Sequence, residues 1–376
     1  MFVKKNVVAA AALTMLAVAA HAQVTVYGTL DVSVGRTEDI TGFDVNGKAI
    51  KSGTGAVNSS DMSPSFIGFK GQEDLGGGLK AVFKLESDLA VDTGEANAAS
   101  TFWSRNATVG LAGDFGALNL GRFENLFYLE GAAFNPFGKS ETFSPTQRAG
   151  LGGASLNRLL AGTALAGFFN ADFATSWANG LSYVSPNLGG LTLSAQYSAK
   201  EGAKGTAVTY SGGAYAINAN YQAGPFGASL VVGQVKSVDA TNAAAKNDAW
   251  LAGLSYDFGA VKLFGQYGRD KVRYFGATDS VTPKFFQIGA SIPVTTDGTV
   301  MVSYGETKGS FATAGASLSG KVRDFSVGYD HNISKRTDLY AAVINERLKG
   351  TVTAASVTGS ESGNATSFSV GVRHRF

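Results

Sequence analysis

The sequence predicts an all-β fold, a 16-stranded antiparallel transmembrane β-barrel with an inward-folded third loop, and three observations carry that expectation. The first is the end of the chain. Over residues 366–376, Phe368, Val370, Val372, His374 and Phe376 fall on one face, and Ser367, Ser369, Gly371, Arg373 and Arg375 on the other. This is the two-residue period of a strand with one apolar and one polar side. Chain ends usually fray, whereas a barrel must pair its last strand with its first to abolish open edges. The second observation is that no apolar run past the N-terminus approaches the roughly 18 residues of a spanning helix, so a membrane location would have to use strands. The third is a strict alternation of short and long connections, set out next.

Period-2 segments bounded by turn residues occur at about 25–36, 65–73, 79–87, 102–111, 117–123, 180–186, 190–199, 207–222, 226–236, 248–258, 261–270, 284–292, 298–307, 322–331, 336–346 and 366–376. Short connections fall at 74–78, 112–116, 186–189, 224–225, 259–260, 293–297 and 332–335, and longer polar ones at 37–64, 88–101, 124–179, 200–206, 237–247, 271–283, 308–321 and 347–365. Strict alternation of loop length is the mark of a barrel with short periplasmic turns and long outer loops. Sandwiches and propellers have no reason to sort loop length by parity. An even strand number leaves both termini on the periplasmic side. At this strand number side chains cannot fill the interior, so an aqueous channel follows.

The strand faces agree. Leu79, Ala81, Phe83 and Leu85 point one way, and Lys80, Val82, Lys84 and Glu86 the other. Leu191, Leu193, Ala195 and Tyr197 likewise oppose Thr192, Ser194 and Gln196. Charges on the inner face of a membrane strand need water there, because burying them in lipid costs several kcal/mol each. Aromatics near strand ends, including Tyr27, Trp103, Tyr183, Trp250, Tyr304, Tyr329 and Tyr340, suit interfacial girdles.

Composition narrows the function classes. Glycine numbers 49 of 376 residues, about 13% where roughly 7% is ordinary, against only 7 prolines, which suits many strands joined by tight turns. There is no cysteine, hence neither disulfides nor thiolate metal sites. Residues 1–22 read as an export signal, with Lys4 and Lys5 before an apolar stretch and Ala20-His-Ala22 as the cleavage site, leaving 23–376 as a single barrel domain. Without Lys4 and Lys5 the 31 basic residues fall to 29, equal to the acidic count, so nothing points to a nucleic-acid partner. Only His331 and His374 would remain, too little for a zinc site or a histidine-based triad; no metal and no cofactor are expected.

The connection 124–179 is far beyond ordinary loop length, which suggests a role of its own. It holds Phe134-Asn-Pro-Phe-Gly138 and the apolar run Leu159-Leu-Ala-Gly-Thr-Ala-Leu-Ala-Gly-Phe-Phe169, a poor composition for a loop in water. Folded inward, it would narrow the lumen and bring its acids, Glu124, Glu130, Glu141 and Asp172, toward basic wall residues Lys70, Lys84, Arg105 and Arg122. Arg122 shares parity with Leu118 and Leu120, and Gly121 beside it suggests a bulge that turns it into the lumen. Opposed acidic and basic rows would set a transverse field across the channel.

Three functions compete at this point. A passive channel for small hydrophilic solutes needs only the polar lumen. A barrel enzyme needs a histidine beside a nucleophile or activated water at the outer mouth, and His331 and His374 lie near the opposite end. A solute-specific channel would favour a regular inward row of aromatics, which the strands lack.

Val26-Tyr-Gly-Thr-Leu-Asp31, Gly68-Phe-Lys-Gly-Gln-Glu-Asp-Leu-Gly-Gly-Gly-Leu-Lys-Ala81, Leu120-Gly-Arg122, Tyr183-Val-Ser-Pro186 and Val370-Gly-Val-Arg-His-Arg-Phe376 resemble the general-diffusion porins of Gram-negative outer membranes, their β-proteobacterial branch above all. The resemblance covers nearly the whole chain after residue 22. It implies a water-filled channel for passive diffusion of small hydrophilic solutes and ions, and a homotrimer set in outer-membrane lipid and lipopolysaccharide. It also implies insertion by the barrel-assembly machinery, which reads Phe376 as an address. Such porins commonly carry a cluster of wall arginines facing the third loop, and Arg105 and Arg122 match two of those positions. Phe66 and Ser182 stand where others often occur, and Asn135-Pro-Phe-Gly138 lacks the Glu that many relatives place beside Phe-Gly.

Overall fold

The computed structural model describes residues 23–44, 48–96, 101–149, 173, 175–199, 213–238, 244–274, 280–313, 316–354 and 357–376. The expected export signal and Asp172 lie outside these residues. The strands are β1 (Gln23–Phe43), β2 (Ala49–Ser59), β3 (Phe66–Gly76), β4 (Leu79–Ala90), β5 (Glu95–Ala96), β6 (Asn106–Gly113), β7 (Gly116–Glu124), β8 (Ser176–Val184), β9 (Leu191–Ser198) and β10 (Ala214–Ala223). They continue with β11 (Phe226–Val238), β12 (Ala244–Asp257), β13 (Lys262–Tyr274), β14 (Ser280–Val281), β15 (Lys284–Pro293), β16 (Gly298–Thr313), β17 (Ala316–Asn332), β18 (Thr337–Ala354) and β19 (Val357–Arg375). Two short helices, α1 (Leu126–Ala133) and α2 (Pro145–Ala149), lie in the long connection after β7.

All ladders between named strands are antiparallel, and consecutive strands are neighbours. β2 and β3 are two halves of one stave, both pairing with β1 and separated by residues 60–65. β5 and β14 are short additions. The barrel therefore has sixteen staves. It closes where β1 meets β19, from Thr29 opposite Arg375 to Arg36 opposite Phe368. One step further, Phe376 and Gly28 exchange both backbone hydrogen bonds, at 3.1 and 3.2 Å. The final aromatic is thus part of the seam, its ring lying over Gly28, where a Cβ would come within 2.7 Å of it.

The short connections fall where the sequence places them; the outer ones are less loop-like than expected. β1 and β2 form a hairpin through most of 37–59, and β16–β17 and β18–β19 continue as paired strands well into 308–321 and 347–365. These extensions are rich in Gly, Ser and Thr and lack apolar alternation. Above the membrane neither face meets lipid, so the pairing there imposes no two-residue apolar period on the sequence. In the other direction, the strand expected from residue 102 starts at Asn106.

Outward positions carry exposed apolar side chains, such as Val34, Val109, Leu120, Ile288 and Val370, while inward ones are mostly polar or small, with buried apolar residues such as Leu251, Phe285, Met301 and Ile344 among them. Two aromatics assigned to the girdles face inward. Tyr27 donates to Glu86 Oε1 at 2.6 Å and Tyr340 to Asp31 Oδ1 at 2.6 Å. Each reaches a lumen acid two staves away over an inward glycine of the strand between, Gly68 on β3 and Gly371 on β19, and a phenol in that position finds an acceptor that a lipid-facing one would lack.

Candidate functional site

The described part of the long connection lies against the inner face of the wall, and the wall is shaped to receive it. Asn125 caps α1, its side chain accepting from Phe127 N at 2.8 Å. Gln196 on β9 accepts from Leu126 N at 3.0 Å and donates to the Glu124 carbonyl at 2.8 Å. At the other end of α1, Gln266 on β13 donates to the carbonyls of Glu130 and Gly131 at 3.1 and 3.2 Å and accepts from Thr146 Oγ1 at 2.5 Å. Two inward glutamines thus hold backbone groups at either end of α1, among them the Leu126 N–H that a helix start leaves unpaired.

The rings of the loop rest on inward glycines. A Cβ at Gly253 would stand 2.5 Å from Phe134 Cγ, one at Gly289 2.7 Å from Pro136 Cδ, and one at Gly328 2.8 Å from Phe137 Cε1. Those seats lie on β12, β15 and β17, so the segment runs along the wall. It then reaches the break between β2 and β3, where Ser140 Oγ donates to the Asp61 carbonyl at 2.6 Å. Arg148 fastens α2 to the wall, 2.7 Å from Asp39 and 3.4 Å from Glu346. Phe137 and Phe143 pack with Met62, Met301, Tyr340 and Ile344.

The charged groups converge on Arg105. Its guanidinium lies 2.6 Å from Glu124, 3.0 Å from Asp88 and 4.0 Å from Glu86, with Phe66 beneath it at 4.9 Å. Lys139 from the loop meets the same Glu124 oxygen at 2.6 Å, and Lys84 reaches Glu86 at 3.1 Å. Burial pushes the Lys139 ammonium below its usual range despite Glu124 beside it. Three cations therefore meet three carboxylates in direct contact, where the sequence suggested rows facing each other across a gap.

The remaining expected residues are dispersed. Lys70 lies 4.7 Å over the Tyr27 ring. Arg122 stays opposite Ala107 in unshifted register, on the face of Leu118 and Leu120, and its Nε donates to the Ser104 carbonyl at 2.5 Å. The expected bulge exists, but the extra residue sits on β8 between Trp177 and Gly180, where Asn179 takes φ 52°. It is Phe123, packed against Gly180, that turns inward. Glu130 faces Asn220, 3.3 Å away, on a different wall from the Arg105 cluster; burial raises its carboxyl above the usual range. Glu141 is exposed. Asp88, Lys139, Gln266 and the glycine seats are not among the residues the sequence singles out. Of these Asp88 carries a signal, since Lys84, Glu86 and Asp88 continue one inward row.

Between this cluster and the wall of β8–β10 lies a space of about 490 Å³, lined among others by Lys84, Asn119, Ser182, Ser194, Glu130 and Asn220. The lining offers hydrogen-bonding groups to water and polar solutes and no constellation for covalent chemistry.

Comparison with known proteins yields a consistent set. A family model described as Gram-negative porin matches residues 9–351. Outer membrane porin protein 32 of Delftia acidovorans is 30% identical over 398 aligned residues, covering 99% of this chain and 100% of that protein. An outer membrane porin protein of Bordetella pertussis is 28% identical with the same coverage. Among solved structures, the anion-selective porin from Comamonas acidovorans superposes with a TM-score of 0.73 at 27% identity, over 95% of this chain and 100% of that one.

Proposed function

The chain belongs to the Gram-negative porin family, and from that premise we propose how its channel treats solutes. It is an outer-membrane porin, a water-filled channel for passive diffusion of small hydrophilic solutes and ions, and not an enzyme. Its third loop narrows the lumen, and the Arg105 cluster sets the field there. The observation that carries the finer reading is the balance of that cluster, with Lys84, Arg105 and Lys139 against Glu86, Asp88 and Glu124. Paired charges in contact act on a passing solute as dipoles, orienting polar molecules while favouring neither ion strongly. The chain is therefore weakly selective, in contrast to the Comamonas porin, which is described as anion-selective. Reversal potentials across a planar bilayer in a salt gradient test this. A value near zero supports it, and one close to the Nernst limit for either ion overturns it.

The family likeness also supports a homotrimer and insertion by the barrel-assembly machinery through Phe376. Deleting Phe376 should lower assembly in cells far more than refolding into detergent. Equal losses in both would mean that the residue serves only the seam.

A further inference from the structure

The outward face of β15–β19 changes character along the strands. Ala290, Val302, Val327, Val343 and Phe368 stand side by side in register as an apolar row. Tyr304 and Phe325 follow two residues further toward the long-loop end, as an interfacial girdle would. Four residues beyond the girdle, Lys284, Lys308, Lys321 and Lys349 are directly opposite one another on four adjacent strands, with Ser362 next on β19. The intervening row adds Arg323 and Arg347, also cross-strand neighbours. Glu306 is the one acid that the described side chains place in these rows, 2.5 Å from Lys308, 2.8 Å from Arg323 and 3.6 Å from Lys321. The four lysines line a single cleft of about 780 Å³ together with hydroxyls including Ser319 and Thr351.

Like charges directly opposite one another destabilise a sheet. Six cations around one carboxylate persist at little cost only with anions between them. Height supplies the second argument. Four residues of a tilted strand rise about 10 Å, which sets the row above the hydrocarbon, and lysine stems can bend their ammonium groups back toward the headgroups. The cleft is on the outer wall and does not open into the lumen.

We infer that this cleft binds the phosphate groups of a phosphorylated glycolipid headgroup in the outer leaflet. The inference rests on the outer-membrane location and names the residues by which the barrel would hold its lipid. Charge complementarity favours a phosphorylated lipid over a neutral one, and the continuity of the row with the apolar face favours a lipid over a free ion.

The test uses the full-length folded protein in detergent, titrated with bis-phosphorylated lipid A, with enzymatically dephosphorylated lipid A and with inorganic phosphate, and read by the shift in unfolding midpoint. Lys308→Gln, Lys321→Gln and Lys349→Gln are combined, against a charge-matched control of Lys262→Gln, Lys335→Gln and Arg336→Gln near the short turns. Each lysine lost should weaken lipid A binding roughly fivefold, so the triple variant loses about a hundredfold, while the control binds as the unaltered protein does. If the triple variant does not fold, Lys308→Gln with Lys349→Gln should lose roughly twentyfold. Unchanged affinity in the variant, equal binding of dephosphorylated lipid A, or the same protection by millimolar inorganic phosphate would each overturn the proposal. So would dissociation of the variant into smaller assemblies without lipid, which would make this face a subunit contact. Single-channel conductance is recorded in parallel. A silent channel in the unaltered protein strikes at the porin reading, whereas lost lipid binding with normal conductance changes concerns this cleft alone.

Discussion

Arg105 and Gly253 both face the lumen from staves of one barrel, yet three acids crowd around the first and the second has no side chain. Around Arg105, just before β6, strands β4 and β7 present charges to it, to one another and to Lys139 of the loop. Across the lumen, β12, β15 and β17 present glycines and β13 a glutamine to rings and backbone groups of the same loop, while Gln196 on β9 holds its start beside the cluster. One wall supplies a field and the other a seat. A loop held only by ion pairs in water would be weakly fixed, since solvated pairs contribute little. Held by close packing and by hydrogen bonds to its backbone, it keeps Glu124 and Lys139 within contact distance of the charged wall.

The largest expected effect comes from the charged wall. Arg105→Met leaves Glu124 and Asp88 without their shared partner, and breaking a buried pair costs about 3–5 kcal/mol. The unfolding midpoint should fall and the reversal potential move toward cations. A stable variant with unaltered selectivity would remove Arg105 from the field. On the seating wall, Gly253→Leu collides with Phe134 and should cost about 1–3 kcal/mol as overpacking. It should also raise single-channel conductance by lifting the loop. Gly265→Ala, where a Cβ meets nothing within 4 Å, serves as the control. Conductance that stays constant in Gly253→Leu would mean the loop does not narrow the path.

A gentler test of the seat is Gln266→Met, which takes the glutamine from the Glu130 carbonyl and the Thr146 hydroxyl, while the Gly131 carbonyl keeps its bond from Asn135 Nδ2. The cost of about 1–3 kcal/mol per unsatisfied buried group is reduced wherever lumen water can replace the glutamine. Larger current fluctuations from a loosened loop are expected with little change in selectivity. The smallest effect is a pH dependence. Burial raises the Glu130 carboxyl, so the folded protein binds a proton there that the unfolded chain has released. Stability therefore falls as pH rises from about 4.3, the ordinary glutamate value, through the raised one. Glu130→Gln should flatten that part of a melting-temperature profile, and an unchanged profile would assign the dependence elsewhere.

Much of the barrel is legible in the chain alone. The alternation in 366–376, the parity of connection lengths and the inward Lys84 and Glu86 are local consequences of a wall with lipid on one side and water on the other, and local patterns survive in a linear string. The outer hairpins are not legible, because above the membrane that contrast between faces disappears. Nor is the true site of the bulge. Gly121 marks the neighbourhood, but the register between β7 and β8, which leaves Arg122 with the leucines and turns Phe123 inward, is a property of two strands together.

The sequence by itself determined the architecture, the closing role of the last strand and the polar character of the lumen, since each follows from periodicity and end signals. The tertiary structure alone decided which acid meets Arg105, that Glu130 faces Asn220, and that glycines spaced far apart in the chain form the seat of one loop. The physical reason is range. Lipid and water act on every residue where it stands, whereas ion pairs and close packing depend on partners that only the closed barrel brings together.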